Sequence, residues 1–467
     1  MRSTARPAVA LATFLLALLS APRAHAARVY VVESDFSSGS FSAGNASAHA
    51  MSCNAASVHS DARVRWYNGQ VFVINRFGAD NIQILDGTTS AFVRQFSVGN
   101  GSNPYDIAFA SPTHAYVARY ASADVWIVDP STGAHTGTLS LAALADADGK
   151  PEPDHMIMVG PLLFISLQRV DQAGGFLPTD SSLVAVVDTR TDTLVDCDAV
   201  AAGVQGILLP RVNPVTAFVF DAPRTRLYLG CVGLYNVNDG GIVAVDPVSL
   251  TATGVVATEA ALGGDVLDLA WHDDDRAYAI VGDAAFNTSL VRWSPVSGTS
   301  QGTIYAPGGF SLADAEVTPD GSEVWVCNSS FGSPGLRVFS TATGLLVSGP
   351  LFCVLPPQGI AFDAATGQVA GVDGPTASAL SLSAPSPNPA RGPVSLRLAG
   401  SSAGDVRVEV ADVSGRRVKG WTESAGTTRT LTWDLRDGGG RRVAPGVYLV
   451  SVRTPTDAAT RRVLVLN

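Results

Sequence analysis

The chain has 467 residues, a formal net charge of −10 at pH 7, and 46% hydrophobic against 15% charged residues. It is long enough for two or more packed units. The charge is unevenly spread: residues 27–383 hold 15 basic and 34 acidic side chains, whereas 384–467 hold 13 basic and 7 acidic. An acidic main body argues against nucleic acid or anionic lipid as its partner and fits solubility, cations or basic surfaces.

Residues 1–26 read as an export signal. Arg2 and Arg6 form the charged start, Ala8 to Leu19 the apolar run, and Ala24-His25-Ala26 the small-residue cleavage site. The apolar run is too short to span a bilayer, and no later stretch reaches spanning length. After signal removal the chain is therefore expected to be exported without a transmembrane segment.

From Val71 to Ser340 one unit recurs six times. Its second strand is VFVIN, AYVAR, LLFIS, RLYLG, RAYAI or EVWVC, followed by a third strand such as IQILDG, VWIVDPSTG, VAVVDTRTD or IVAVDPVSL. The cleanest copy predicts an inner strand at Tyr105–Ala110, then Ala115–Tyr120, Val125–Asp129 and Gly137–Leu141. The Pro130-Ser131-Thr132-Gly133 turn supplies a preset φ, side-chain bonds back to the backbone and a positive φ in order. The middle strands are almost continuously apolar, as strands covered on both faces are. Units of this size that cannot bury their own faces stack into arrays. Two incomplete pieces flank the six: Arg28–Ser34 resembles a second strand without a first, and Gln358–Asp363 a first strand without a second. Joined, they complete a seventh unit closed by both ends of the chain, and closure removes exposed sheet edges. Weak strands near Gln368–Asp373 and Ala379–Ser383 are candidates for the same unit. The predicted fold class is thus all-β: a seven-bladed β-propeller over residues 27–383. Connections at Val170–Ser181, Val232–Gly240 and Gly282–Thr288 are expected on one rim, which would be the recognition surface.

A Pro/Ser-rich linker follows at 384–392. Residues 393–467 then alternate strictly, as in VSLRL from Val394 and VRVEV from Val406, which predicts a small antiparallel sandwich of immunoglobulin-like type.

Five cysteines, Cys53, Cys197, Cys231, Cys327 and Cys353, leave at least one thiol over in an exported chain, and no C-x-x-C is present. A Cys53–Cys353 bond would lock the ring shut; five unpaired buried thiols is the alternative. Enzyme signatures are scarce: G-x-S-x-G, H-E-x-x-H and the P-loop are all absent. No catalytic residue and no organic cofactor is assigned. The best cation candidate is the run Asp146, Asp148, Glu152 and Asp154. It sets carboxylates two apart before Gly149, as a calcium loop begins, but lacks the closing bidentate Glu of the twelve-residue frame. Asp106, Asp154, Asp268 and Asp314 fall on inner strands, where a ring-shaped enzyme would gather carboxylates. His272, in Trp271-His272-Asp273-Asp274-Asp275, reads as a turn. Phe176, Trp66, Tyr67, Tyr120 and Tyr235 lie near loops or strand ends, where rings either pack or stack on a sugar.

The residues after the linker resemble the C-terminal sorting domain of type IX secretion substrates and the related FlgD-like immunoglobulin-type module. The match runs through Pro387-Asn388-Pro389, Val408 to Val418, Thr432-Trp433-Asp434, Gly440 to Tyr448 and the final Arg461–Leu466. The resemblance implies recognition by an outer-membrane secretion machinery, followed by cleavage or attachment. The repeat region is similar to the bacterial YVTN/surface-layer propellers on AYVARYASADVWIVDPSTG and its copies. Together these imply a secreted or cell-surface protein with a ligand, protein or glycan, bound by the propeller. The alternative is a propeller hydrolase or lyase acting on a sugar or lactone with a channel metal.

Overall fold

The computed structural model describes residues 27–363 except 199 and 274, and, in the C-terminal region, 381–382, 385, 387–388, 390–399, 406–412, 416–423, 428–453 and 458–466. The export signal and the weak strand at Gln368–Asp373 lie outside the described residues.

Among the described residues of the first 363, seven antiparallel sheets follow one another, each of four strands or, in blade 4, of five, with a separate two-stranded ribbon of Val170–Asp171 and Leu177–Pro178 in blade 4's long connection. Blade 1 takes its inner strand from the far end of the sequence. Pro357–Phe362 pairs with Arg28–Ser34, which is followed outward by Gly39–Asn45 and Ala50–Val58. Both predicted end pieces therefore meet in one sheet. Its two outer strands, however, come from the N-terminal side, from a Ser/Ala/Gly-rich stretch with no apolar run to announce it. The inner strands of blades 2 to 7 are Ala62–Tyr67, Pro104–Ser111, Pro153–Val159, Val219–Asp221, Asp265–Trp271 and Leu312–Val317. The predicted cleanest copy appears as Pro104–Ser111, His114–Arg119, Asp124–Asp129 and Ala134–Ser140.

What holds the ring is visible in the buried clusters, each of which joins the facing sides of two successive blades. Tyr30, Val32 and Phe41 of blade 1 pack on Val64, Val71 and Val73 of blade 2. Phe72 and Ile74 pack on Ile107 and Val117, Tyr116 and Ala118 on Leu163 and Ile165, and Phe164 and Val186 on Leu227 and Leu229. Tyr228 and Ala244 meet Val266 and Ala279, and Tyr278 and Ile280 meet Ala315 and Val324. Trp325 and Cys327 of blade 7 then close onto Val29, Val31 and Phe362 of blade 1. Each middle strand thus gives alternate side chains to two neighbours, which is why its sequence is apolar without alternation. A disulfide, Cys53–Cys353, clips the outer strand of blade 1 to the segment just past the outer strand of blade 7, Leu346–Leu351. Cys197, Cys231 and Cys327 are free.

The C-terminal region forms two sheets. Ser381–Leu382, Val394–Ala399 and Thr428–Trp433 make one; Arg417–Glu423, Val406–Asp412, Gly446–Arg453 and Ala458–Val465 make the other. Ser381 and Leu382 pair with Ala399 and Leu398, so they belong to this unit and not to the ring. Val394, Leu396, Val408, Val410, Leu431, Trp433 and Val450 form its core. The Asn388 side chain accepts from Leu464 N at 2.7 Å, and Ala390 bridges Val465 in parallel, which ties the start of the unit to its last strand.

Candidate functional site

Strand polarity decides where function can sit. Within each blade the strands alternate in direction, so the connections from second to third strand, and from fourth strand to the next blade, emerge on one face. The turns on the opposite face are short, as in Pro130-Ser131-Thr132-Gly133. The three predicted long connections are all of the first kind, and so share one face.

That face carries a ring of aromatics. Phe36, Phe77, Phe176, Tyr235 and Phe286 sit in the second-to-third connections of blades 1, 2, 4, 5 and 6, and Phe310 precedes the inner strand of blade 7. All six are 52–80% exposed, and Phe331 of blade 7 is fully exposed. Blade 3 places Tyr120 at the equivalent point, but buried, stacked on Tyr105 with centroids 4.8 Å apart and donating to Gln168. Phe36, Phe176 and Phe286 have φ of 67°, 60° and 60°. A bulky side chain in that left-handed region is strained by about 1–3 kcal/mol. Aspartate caps hold these turns: Asp35 Oδ1 accepts from Ser37 N and Ser38 N, and Asp283 Oδ1 from Ala285 N and Asn287 N. Of the aromatics singled out in sequence, Phe176 and Tyr235 belong to this ring. Trp66 packs against the cluster between blades 1 and 2, and Tyr67 stacks on Phe109 at 4.3 Å. Phe36, Phe77, Phe286, Phe310 and Phe331 were missed; one aromatic per second-to-third connection is a signal that the aligned repeats carry.

The ring surrounds a cavity of about 820 Å3 at the mouth of the central channel, lined in part by Phe36, Phe176, Tyr235 and Phe310. A side pocket of about 330 Å3 adjoins it, sharing Tyr235, Leu267 and Phe310 and adding Phe286. Just inside the mouth, the Arg63 and Arg76 guanidinium carbons lie 4.1 and 3.8 Å from the Tyr105 ring centre. Arg63 Nη1 is 2.7 Å from His155 Nε2. Burial, and then the adjacent Arg63, Arg65 and Arg76, press the His155 pKa well down, so this imidazole is neutral. Asp154 is completely buried; desolvation raises its pKa to about 7 against the pull of Arg63. Its Oδ2 accepts from Gln168 Nε2 at 2.7 Å, while Oδ1 accepts no hydrogen bond among the described residues.

Deeper in the channel, the inner-strand aspartates have a structural occupation. Asp106 accepts from Met156 N of the next blade at 2.9 Å, Asp268 from Ala315 N at 2.8 Å, and Asp314 from Ile360 N at 2.7 Å. In blades 4 and 7, Met156 and Ala315 lie where the inner strand's register shifts, which leaves their N–H groups without a ladder partner. The carboxylate of the preceding blade satisfies them. Asp106 is also held by Arg65, at 2.9 and 3.2 Å. Burial, then Asp314 and Glu316, push Asp268 well above the usual carboxylate range, and burial with Asp314 raises Glu316 to about 8.

The four cation candidates are placed as follows. Asp146 accepts from Thr179 Oγ1, and Asp148 from Lys150 N at 2.7 Å, both on an exposed stretch. Glu152 is buried beneath it, taking Val170 N at 3.2 Å and Gln172 Nε2 at 2.8 Å, and Asp154 belongs to the channel mouth. Among the described residues no three His, Cys, Asp or Glu side chains form a metal-holding group. His272 lies between Asp265–Trp271 and Ala277–Gly282, in the expected turn, against Asp273 at 2.7 Å.

Residues 386–466 match the model of the secretion system C-terminal sorting domain. The chain is thereby an exported protein of the secreted or cell-surface fraction that engages a secretion machinery. No curated protein matches it. Among solved structures it is similar to a putative 6-phosphogluconolactonase from Bacteroides uniformis, with 14% identity, a TM-score of 0.51, and coverage of 72% of this chain and 99% of that one. This likeness shows the ring fold alone. A further match is PorZ, a surface component of the type-IX secretion system of Porphyromonas gingivalis, at 15% identity and a TM-score of 0.42. It covers 87% of this chain, which spans 59% of that longer protein. No helix among the described residues is long and apolar enough to cross a membrane.

Proposed function

We propose that this is an exported binding protein whose propeller takes its ligand at the aromatic-rimmed channel mouth, while the C-terminal unit serves secretion and attachment. One observation carries the reading: seven exposed aromatics, spread over six blades' worth of connections, converge on a single face. Large apolar side chains left in water on one rim, three of them in strained backbone, are a cost that folding alone does not require. The channel carboxylates support binding over catalysis, because Asp106, Asp268 and Asp314 are committed to joining blades.

The test is a printed panel of glycans and peptides probed with the secreted chain and with a Phe176→Ala/Tyr235→Ala/Phe286→Ala variant. Signals that disappear in the variant, with the melting temperature kept, support the reading. Signals equal in both proteins, or none in either, refute it.

A further inference from the structure

Resting on that reading, we infer that the ligand is an acidic oligosaccharide, a glycan bearing uronate carboxylates, with one carboxylate held by Arg63 and Arg76 and its sugar faces on the rim aromatics. Register sets the depth. Arg63 is the second residue of its inner strand and Tyr105 the second of the next, so both stand at the mouth, whereas Asp268 and Asp314 sit further in. A ligand entering from the rim therefore meets the guanidiniums before Asp268 and Asp314, with Asp154 beside Arg63 and Asp61 beside Arg76 as the acids at the same depth.

These guanidiniums are underused. Arg76 has an ion pair to the half-exposed Asp61 at 3.4 Å, and its Nε is buried without a hydrogen-bond partner. Arg63 faces the neutral His155, with Asp154 at 3.7 Å. Each guanidinium carries five N–H donors in a planar fork that suits a carboxylate. Both forks are stiffened by contact with one tyrosine ring. Three of the ring's 15 basic residues, Arg63, Arg65 and Arg76, line this one cavity, alongside Asp61, Asp268, Asp314 and Glu316.

The remaining lining fits a sugar. Asn103 and Asn213 bring neutral amides to the lining, and Phe36, Phe176, Tyr235 and Phe310 offer flat apolar faces. The adjoining pocket under Phe286 extends the site beyond one unit, which favours an oligomer over a single sugar.

Calorimetry on the full secreted chain tests this with three probes: tetragalacturonate, the same tetramer after carboxyl reduction, and a glutamate hexapeptide. The uronate is expected to bind at least ten-fold tighter than its neutral counterpart. Arg76→Gln should abolish that preference, while Tyr235→Ala weakens both sugars. Because the reduced sugar changes only the ligand, the comparison stands even where a variant folds poorly. Equal affinity for the two tetramers, no binding of either, or a hexapeptide that binds as tightly as the uronate would each overturn the inference. Where that happens while panel signals still vanish in the rim variant, the binding site stands and only its ligand class is wrong.

Discussion

Breaking Cys53–Cys353 should cost this protein more than any surface contact, and should cost it at one seam. The bond spans 300 residues of sequence, nearly the whole ring. On the chain-entropy relation, tying an unfolded chain over such a loop removes about 5–6 kcal/mol of disorder at 25 °C. Residual structure in the unfolded ensemble lowers what is measured, so Cys53→Ser is expected to destabilise the ring by about 2–5 kcal/mol. The location follows from the topology. Cys353 lies four residues before the inner strand Pro357–Phe362, which completes blade 1 from the far end of the chain. Without the clip, that strand is held by its ladder to Val29–Glu33 and by Asp314, and its amides should exchange first. Guanidinium unfolding followed by tryptophan fluorescence, with hydrogen exchange on the same samples, reads both effects. Thiol titration of the denatured, non-reduced chain should find three free thiols. Five thiols, or a Cys53→Ser variant within 0.5 kcal/mol of the parent, would refute the reasoning.

Three further outcomes are expected. Trp325→Ala should destabilise by about 3–5 kcal/mol in denaturant unfolding, because a fully buried ring is removed from the seam between blades 7 and 1. Gly298→Ala should destabilise by about 1–3 kcal/mol or more, since Gly298 has φ of 68° and an added Cβ would meet Val256 O at 1.9 Å. The pH response should run opposite to ordinary acid loss over one window. Burial raises Glu152, Asp154 and Glu259 to about 7 and Glu316 to about 8 in the folded state, from ordinary values near 4. Between those limits the folded chain binds more protons than the unfolded one, so stability falls as pH rises from about 4 to about 8. Denaturation midpoints at pH 8, 6.5 and 5 should climb in that order, and Glu316→Gln should flatten the climb. Below about pH 4 the turn aspartates with lowered pKa, such as Asp35, Asp86 and Asp283, reverse the trend as they are protonated.

The ring was legible because its physics is repetitive. VFVIN, LLFIS and RLYLG must bury both faces, and that demand is written in every copy. The C-terminal sheets were legible through the opposite rule, since VRVEV buries every second residue against Trp433 and Leu431. The outer strands of blade 1 were not, because Gly39–Asn45 and Ala50–Val58 fill a place where the ring's width is already set by neighbours, and small residues suffice. The inner-strand aspartates were visible but their work was not. Asp106, Asp268 and Asp314 have the spacing of channel ligands, yet the groups they serve are backbone N–H donors of the next blade, which no side-chain pattern reveals.

The same staples bear on why recognition sits at the mouth and not along the axis. A carboxylate that must satisfy a buried N–H of its neighbour cannot be exchanged for another side chain without leaving that donor unpaired, at about 1–3 kcal/mol per group. The mid-channel is therefore chemically fixed by the demands of ring assembly. Around Phe36 and Phe286 the connections are capped within their own turns, whereas Phe77 N donates to Asn103 Oδ1 and Asn236 N to Asp265 Oδ2 of the next blade; the rim aromatics' own side chains are left exposed. Exposed apolar surface gathers on that one face. Arg63 and Arg76, which stand where the rim meets the fixed interior, are the residues through which a rim ligand would sense the charge of the channel.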